Sequence, residues 1–130
     1  MSSSKEWRLR KHADYQRVYK AGRKQFSPSM TWFHAVQPLT ATSPRVGLTA
    51  GRVLGNAVER NRIKRRMREA IRANLHLLPA TTDLVLHPRR VVLEIKFVDL
   101  RTEIERIFNK VAALPAASPT TLPTTPASRS

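Results

Sequence analysis

Asn56-Ala-Val-Glu-Arg-Asn-Arg-Ile-Lys-Arg-Arg-Met-Arg-Glu-Ala-Ile-Arg-Ala-Asn-Leu-His-Leu-Leu-Pro79 is the stretch around which the rest of the chain is ordered. An Asn followed three positions later by Glu is a helix-start signature. The Asn side chain and the returning carboxylate satisfy orphan backbone donors of the first turn. Ile63, Met67, Ala70, Ile71, Leu75 and Leu78 then recur at helical spacing as one apolar stripe, which Pro79 terminates. At about 100° per residue, Arg62, Arg65, Arg68 and Arg72 fall on the side away from that stripe. The stretch predicts a long helix with an apolar face for a core and an arginine face for something else.

Charge says what that something is. Residues 52–72 carry eight Arg or Lys against two Glu, and six of the nine positions from Arg60 to Arg68 are basic with no acid. A solvated helix surface normally mixes signs at i, i+4 spacing, and here only Glu59 and Glu69 are available. The whole chain carries a formal charge of +15 over 130 residues, with a sequence pI near 11.6. Such a density repels itself unless a polyanion neutralises it, and the planar guanidinium fork suits phosphate oxygens. Nucleic acid is the expected partner, and charge alone does not separate DNA from RNA. There is no cysteine, hence no disulfide and no thiolate-ligated zinc. No apolar run approaches the roughly 18 residues of a membrane span, and the N-terminus lacks a secretory apolar segment. A cytoplasmic, membrane-free protein is expected.

Working outward, residues 1–6 are serine-rich and 115–130 mix Pro, Thr, Ser and Ala, so both ends are expected to be disordered. Residues 7–114 are expected to form one domain. Tyr15, Val18 and Tyr19, followed by Gly22, predict a short first helix with the two tyrosines on one face. Strands are predicted at Ser29 to Gln37 and Arg45 to Ala50, joined as a hairpin through the turn-rich Pro38 to Pro44, and at Asp83 to Leu86. Leu100, Ile104, Ile107, Phe108 and Val111 predict a last amphipathic helix. Between Val91 and Val98, strand and loop both fit: Leu93, Ile95 and Phe97 alternate with Glu94 and Lys96, yet Phe97 also suits an apolar anchor ahead of the final helix.

The string Arg45-Val-Gly-Leu-Thr49, then Gly55-Asn-Ala-Val-Glu-Arg-Asn-Arg-Ile-Lys-Arg-Arg66, resembles the signature of the protein subunit of bacterial ribonuclease P. Arg60-Asn61-Arg62 with Ile63-Lys64-Arg65 is its most specific part. The similarity runs back through Arg8-Leu9-Arg10, Asp14-Tyr15 and Tyr19 with Gly22, and forward through Asp83-Leu-Val-Leu86. The resemblance implies an α+β fold, an αβββαβα sandwich with a mixed four-stranded sheet and a left-handed βαβ crossover. It implies an accessory subunit of an endonuclease that removes the 5′ leader of precursor tRNA, with RNA as catalyst and no catalytic or metal-binding residue in the polypeptide. It assigns Arg52, Asn56, Arg60, Asn61, Arg62, Lys64, Arg65 and Arg68 to the catalytic RNA subunit. It assigns Tyr15, Tyr19 and Phe33 to a cleft for the single-stranded leader, where aromatic faces stack on any base. No cofactor is expected on the protein alone. Magnesium is expected with the RNA subunit, whose phosphates are the natural hard ligands. No protein partner is predicted. Two departures stand out. Ala50-Gly51-Arg52 replaces a common Ser-Lys-Lys, and His87-Pro88 replaces a common Arg-Pro, with Arg89 and Arg90 close by.

Two other functional classes compete with this reading. A ribosomal or general RNA-binding protein would share the charge, and Tyr15, Tyr19 and Phe33 would then be ordinary core residues, as aromatics at i, i+4 on a short helix often are. A self-sufficient nuclease is disfavoured. His12, His34, His76 and His87 lack ligand spacing, and Glu103 and Glu105 do not share a helix face.

Overall fold

The computed structural model describes residues 7–37 and 43–113. Its elements are α1 (His12–Ala21), β1 (Arg23–Ser27), β2 (Met30–Val36), β3 (Arg45–Leu48), α2 (Ala57–Asn74), β4 (Thr82–Pro88) and α3 (Phe97–Ala113). This is the αβββαβα order that the resemblance implied. The expectations for residues 1–6, for most of the Pro38 to Pro44 connection and for the tail from 114 onward lie outside the described residues.

Helix α2 starts where its sequence places it. The Asn56 side-chain oxygen accepts the Glu59 backbone N–H at 2.9 Å, and the Glu59 carboxylate accepts the Asn56 backbone N–H at 3.1 Å. Ile63, Met67, Ala70 and Ile71 are buried, as is Asn74, which joins the stripe. The Asn74 amide donates to the carbonyls of Ala70 and, across the interface with α3, Arg101. The helix gives way to a 3-10 turn at Leu75–Leu77 ahead of Pro79, so the last part of the stripe is carried by a tighter coil.

The four strands lie in the order β1-β2-β4-β3. This corrects the predicted hairpin: β2 and β3 do not pair, because β4 lies between them, antiparallel to β2 and parallel to β3. Leu84, Val85 and Leu86 are fully buried, and a strand apolar on both faces belongs at the centre of a sheet. The true hairpin joins β2 to β1 through Pro28 and Ser29, with Ser27 opposite Met30. Strand β1 reads Arg-Lys-Gln-Phe-Ser, with no apolar alternation, because it is an exposed edge. The far edge of β3 is covered by residues 7–9, whose backbone pairs with Val46. The ambiguous segment is neither strand nor plain loop. A 3-10 turn at Arg90–Leu93 buries Val92, and α3 begins at Phe97, earlier than its apolar pattern indicates.

Alternation along the strands sorts the core into two layers. Met30, Trp32, Val46, Leu84 and Leu86 pack with α2 and α3 through Ile63, Met67, Ile71, Leu100, Ile104 and Phe108. On the opposite face Ala35 and Val85 pack with Leu9 and with Val18 of α1, flanked by Tyr15, Tyr19 and Phe33. The sheet therefore separates the arginine helix from the tyrosine helix.

Candidate nucleic-acid interface

On α2, Asn61, Arg62 and Arg65 are exposed, and Arg60, Lys64 and Arg68 are half-buried. Among the described residues none of these five cations forms an ion pair. The helix's own acids are engaged elsewhere. Glu59 receives a two-pronged pair from Arg90, at 3.0 and 2.6 Å, and Glu69 pairs with Arg72. The Arg90 hydrogen bonds, aided by the Asn56 N–H, hold the Glu59 carboxyl down to about 2. Arg90 also donates to the Leu54 carbonyl, and Gly55, at φ 130°, passes so close that a Cβ there would collide with both charged groups. Arg66 turns inward and donates to the Ile95 carbonyl. Asn56 has its side-chain oxygen committed to the cap, leaving only its amide donors for a ligand. Arg52 is exposed on the turn leading into the helix.

Sequence reasoning missed Arg8, which the pairing of residues 7–9 with β3 brings towards Arg68. Burial lowers the Arg68 pKa, and the like charges of Arg8 and Arg72 lower it further. The cationic surface thus extends off the helix, and accumulated repulsion of this kind is relieved by a bound polyanion.

The other face holds the aromatics. Tyr15, Tyr19 and Phe33 are all half-buried, and they do come together. The Tyr19 and Phe33 rings meet edge to face at 5.0 Å, with Tyr15 and Tyr19 at 6.5 Å. The Tyr15 ring covers Gly47, where a Cβ would strike it, and its hydroxyl accepts the Leu48 N–H at 3.2 Å. Tyr15 is thus part fixed support and part open surface, which lies between the two roles that sequence left open. His87 completes the cluster. Its Nε2 is 2.9 Å from the Tyr19 hydroxyl, and its ring lies 5.3 Å from Phe33 and 5.6 Å from Tyr19. Burial and then the charge of Lys24 lower the His87 pKa, favouring the neutral ring. A period-two reading of β4, placing Val85 and His87 on one face, is the signal that finds it.

Asp83, fully buried on β4, fixes α1 over this face. It accepts two hydrogen bonds from Arg45, at 2.9 and 2.8 Å, and one from Arg17 of α1. Arg45 reaches on to Asp14 at 3.2 Å. Such partners offset the cost of taking a carboxylate out of water. With Tyr19 at the His87 end, α1 is tied to β4 at both ends. Between α3 and the β1–β2 hairpin runs an open groove of about 420 Å³. Asp99 and Glu103 alternate there with Arg106 and Lys110, a lining unsuited to a polyanion.

These features define a class: an α+β protein with a helix on one sheet face whose outward cations have no acid partner among the described residues, and an aromatic cleft on the other face. Comparison with known proteins gives the family. A sequence profile described as Ribonuclease P matches residues 3–112. The ribonuclease P protein component of Symbiobacterium thermophilum is 36% identical over 110 residues, covering 85% of this chain and 95% of that protein. That of Chloroflexus aggregans is 38% identical over 122 residues, covering 93% and 87%. Among solved structures, a Staphylococcus aureus RNase P protein mutant with defective mRNA degradation activity superposes with a TM-score of 0.71 at 25% identity, covering 82% of this chain and 89% of that one. The RNase P protein from Thermotoga maritima gives 0.69 at 25% identity, covering 79% and 96%. The chain belongs to the family of bacterial ribonuclease P protein subunits.

Proposed function

We propose that this subunit docks on the catalytic RNA of ribonuclease P through the outer face of α2, and holds the 5′ leader of precursor tRNA in the cleft between α1 and the sheet. In this reading Arg52, Asn56, Arg60, Asn61, Arg62, Lys64, Arg65 and Arg68 contact the RNA subunit, and Tyr15, Tyr19 and Phe33 contact the leader. The observation that carries it is the α2 surface, where five cations lack a carboxylate partner among the described residues while the helix's two acids pair with Arg90 and Arg72. Phosphates supply the missing charge, and because they are sequence-blind they position rather than specify. The cleft supplies stacking faces that accept any base, as leaders of unrelated sequence require.

The polypeptide positions substrate and leaves the bond-breaking to RNA. Buried Asp83 and half-buried Asp14 are bound to guanidinium groups rather than arranged around a free position, a donor set that does not fit a hard divalent cation. Magnesium is accordingly assigned to the RNA phosphates. In this reading the reaction belongs to the cytoplasm, where precursor tRNA is made.

The test is reconstitution of the full chain with a bacterial ribonuclease P RNA and precursor tRNA at low magnesium. Cleavage of the leader should need both components. Tyr19→Ala should lose about 1 to 3 kcal/mol of affinity for leader-bearing precursor and leave mature tRNA affinity unchanged. Equal losses for the two ligands, or no stimulation of cleavage, would return the chain to the general RNA-binding class.

A further inference from the structure

Phe26 is an unexplained residue. Its side chain is 67% exposed on the open edge strand β1, although apolar side chains on sheet edges invite unwanted pairing. A singly exposed apolar residue needs no special account by itself. Here three observations act together. Alternation along β1 places Phe26 on the same sheet face as the aromatic cleft, at the open edge where it also borders the α3 groove, and the register sets Phe26 opposite Thr31 and Thr31 opposite His87. Phe26 therefore lies in one cross-strand row with His87, two strands away, or roughly 9 to 10 Å. Lys24, opposite Phe33 in the adjacent row, holds its ammonium 5.4 Å from the Phe26 ring centroid and close enough to His87 to influence it. With the cation over one face of the ring, the other is left for a base, a combination that binds single-stranded nucleic acid when the base stacks and the charge meets the phosphate. The hairpin that presents the pair is held by Arg89, which donates to the carbonyls of Ser27 and Pro28 at 2.9 and 3.0 Å.

We propose that Phe26 and Lys24 form a second stacking subsite continuing the cleft onto β1. It takes a leader nucleotide farther from the cleavage site than those held by Tyr15, Tyr19 and Phe33, with Phe26 under the base and Lys24 on its phosphate. The proposal rests on the leader-cleft reading above. It commits to single-stranded RNA because the subsite is continuous with the cleft and carries the complementary charge.

The experiment uses the reconstituted holoenzyme and precursor tRNAs whose leaders lengthen one nucleotide at a time. Phe26→Ala should match the native protein on the shortest leaders and bind roughly five- to hundredfold more weakly once the leader spans the row. Phe26→Trp should retain the long-leader gain, and Lys24→Ala should reduce the magnitude of the log K against log salt slope by about 0.7 on long leaders only. Tyr19→Ala separates the two levels of inference. Should it have no effect at any length, the cleft reading fails and the subsite with it. Should Tyr19→Ala weaken binding while Phe26→Ala is silent at all lengths, the subsite alone is wrong. An equal Phe26→Ala loss for mature tRNA would also overturn it. So would a native dimer in sedimentation that Phe26→Ala converts to monomer, which would assign Phe26 to pairing between two β1 edges.

Discussion

Glu59 illustrates how one side chain can serve both the fold and a charged surface. It closes the α2 capping box, and by engaging Arg90 it draws an acid away from the arginines that face outward. Its folded pKa near 2 lies below the ordinary 4.5, so its stabilising contribution is fully present above about pH 4.5 and is lost as the pH falls through 2. The side chain is partly open to solvent, so salt screens the effect and its size stays modest. Urea unfolding of the native protein and Glu59→Gln across an acid series should show a constant stability gap at neutral pH that narrows below about pH 4.5. A gap that does not change with pH would mean that the carboxylate acts only as a hydrogen-bond acceptor. Asp83 performs the complementary task on the other sheet face. Arg45 and Arg17 are drawn to it, whereas among the described residues Arg60, Arg62, Lys64, Arg65 and Arg68 of α2 have no acid partner.

Among the elements, α2 was legible because every local signal agrees: cap, stripe, terminator and charge. Its outer face should bind RNA without being needed for folding. Replacing Arg62 and Arg65 together by Ala should reduce the magnitude of the log K against log salt slope for the RNA subunit by roughly 0.7 to 0.9 per lost phosphate contact. The thermal midpoint should hold, because the buried stripe of Ile63, Met67, Ala70 and Ile71 is untouched. An unchanged slope with unchanged affinity would make this face a merely solvated one. The β elements were less legible, for a physical reason. Strand pairing is non-local, and nothing in Ser29 to Gln37 or Arg45 to Ala50 states that β4, beyond an intervening helix, will insert between them. Strand β1 is hidden further, since Arg23, Lys24 and Gln25 read as loop until the Pro28-Ser29 turn is seen to fold them onto β2. Missing β1 also hid Lys24 and Phe26, and reading β4 as short as Asp83 to Leu86 hid His87. The aromatics on α1 were found because helical spacing is local, although spacing could not say whether they were core or platform. The half-burial of Tyr15 comes from Gly47 and Leu48, more than thirty residues away.

At the scale of the molecule, the sheet separates two surfaces: the cationic helix packs on one face and the aromatic cleft opens on the other, with Met30, Trp32, Leu84 and Leu86 filling one layer and Ala35 and Val85 the other. Two surfaces separated by a packed sheet and sharing no side chain should contribute independently, since distant sites without common partners add to within about 0.5 kcal/mol. With the RNA subunit saturating, Arg62→Ala/Arg65→Ala should leave the preference for precursor over mature tRNA as it is, whereas Tyr19→Ala should remove most of that preference. The triple variant should lose the sum of the two effects, measured as RNA-subunit affinity plus leader discrimination. Coupling well above 0.5 kcal/mol would show the two faces to be linked. The physical route for such a link would be α1 shifting on the Asp83 network, because Arg45 joins β3, β4 and α1 in one set of hydrogen bonds. Asp83→Asn in the same background identifies that route. It should leave additivity intact if the sheet insulates the two faces, and should abolish any coupling that the network transmits.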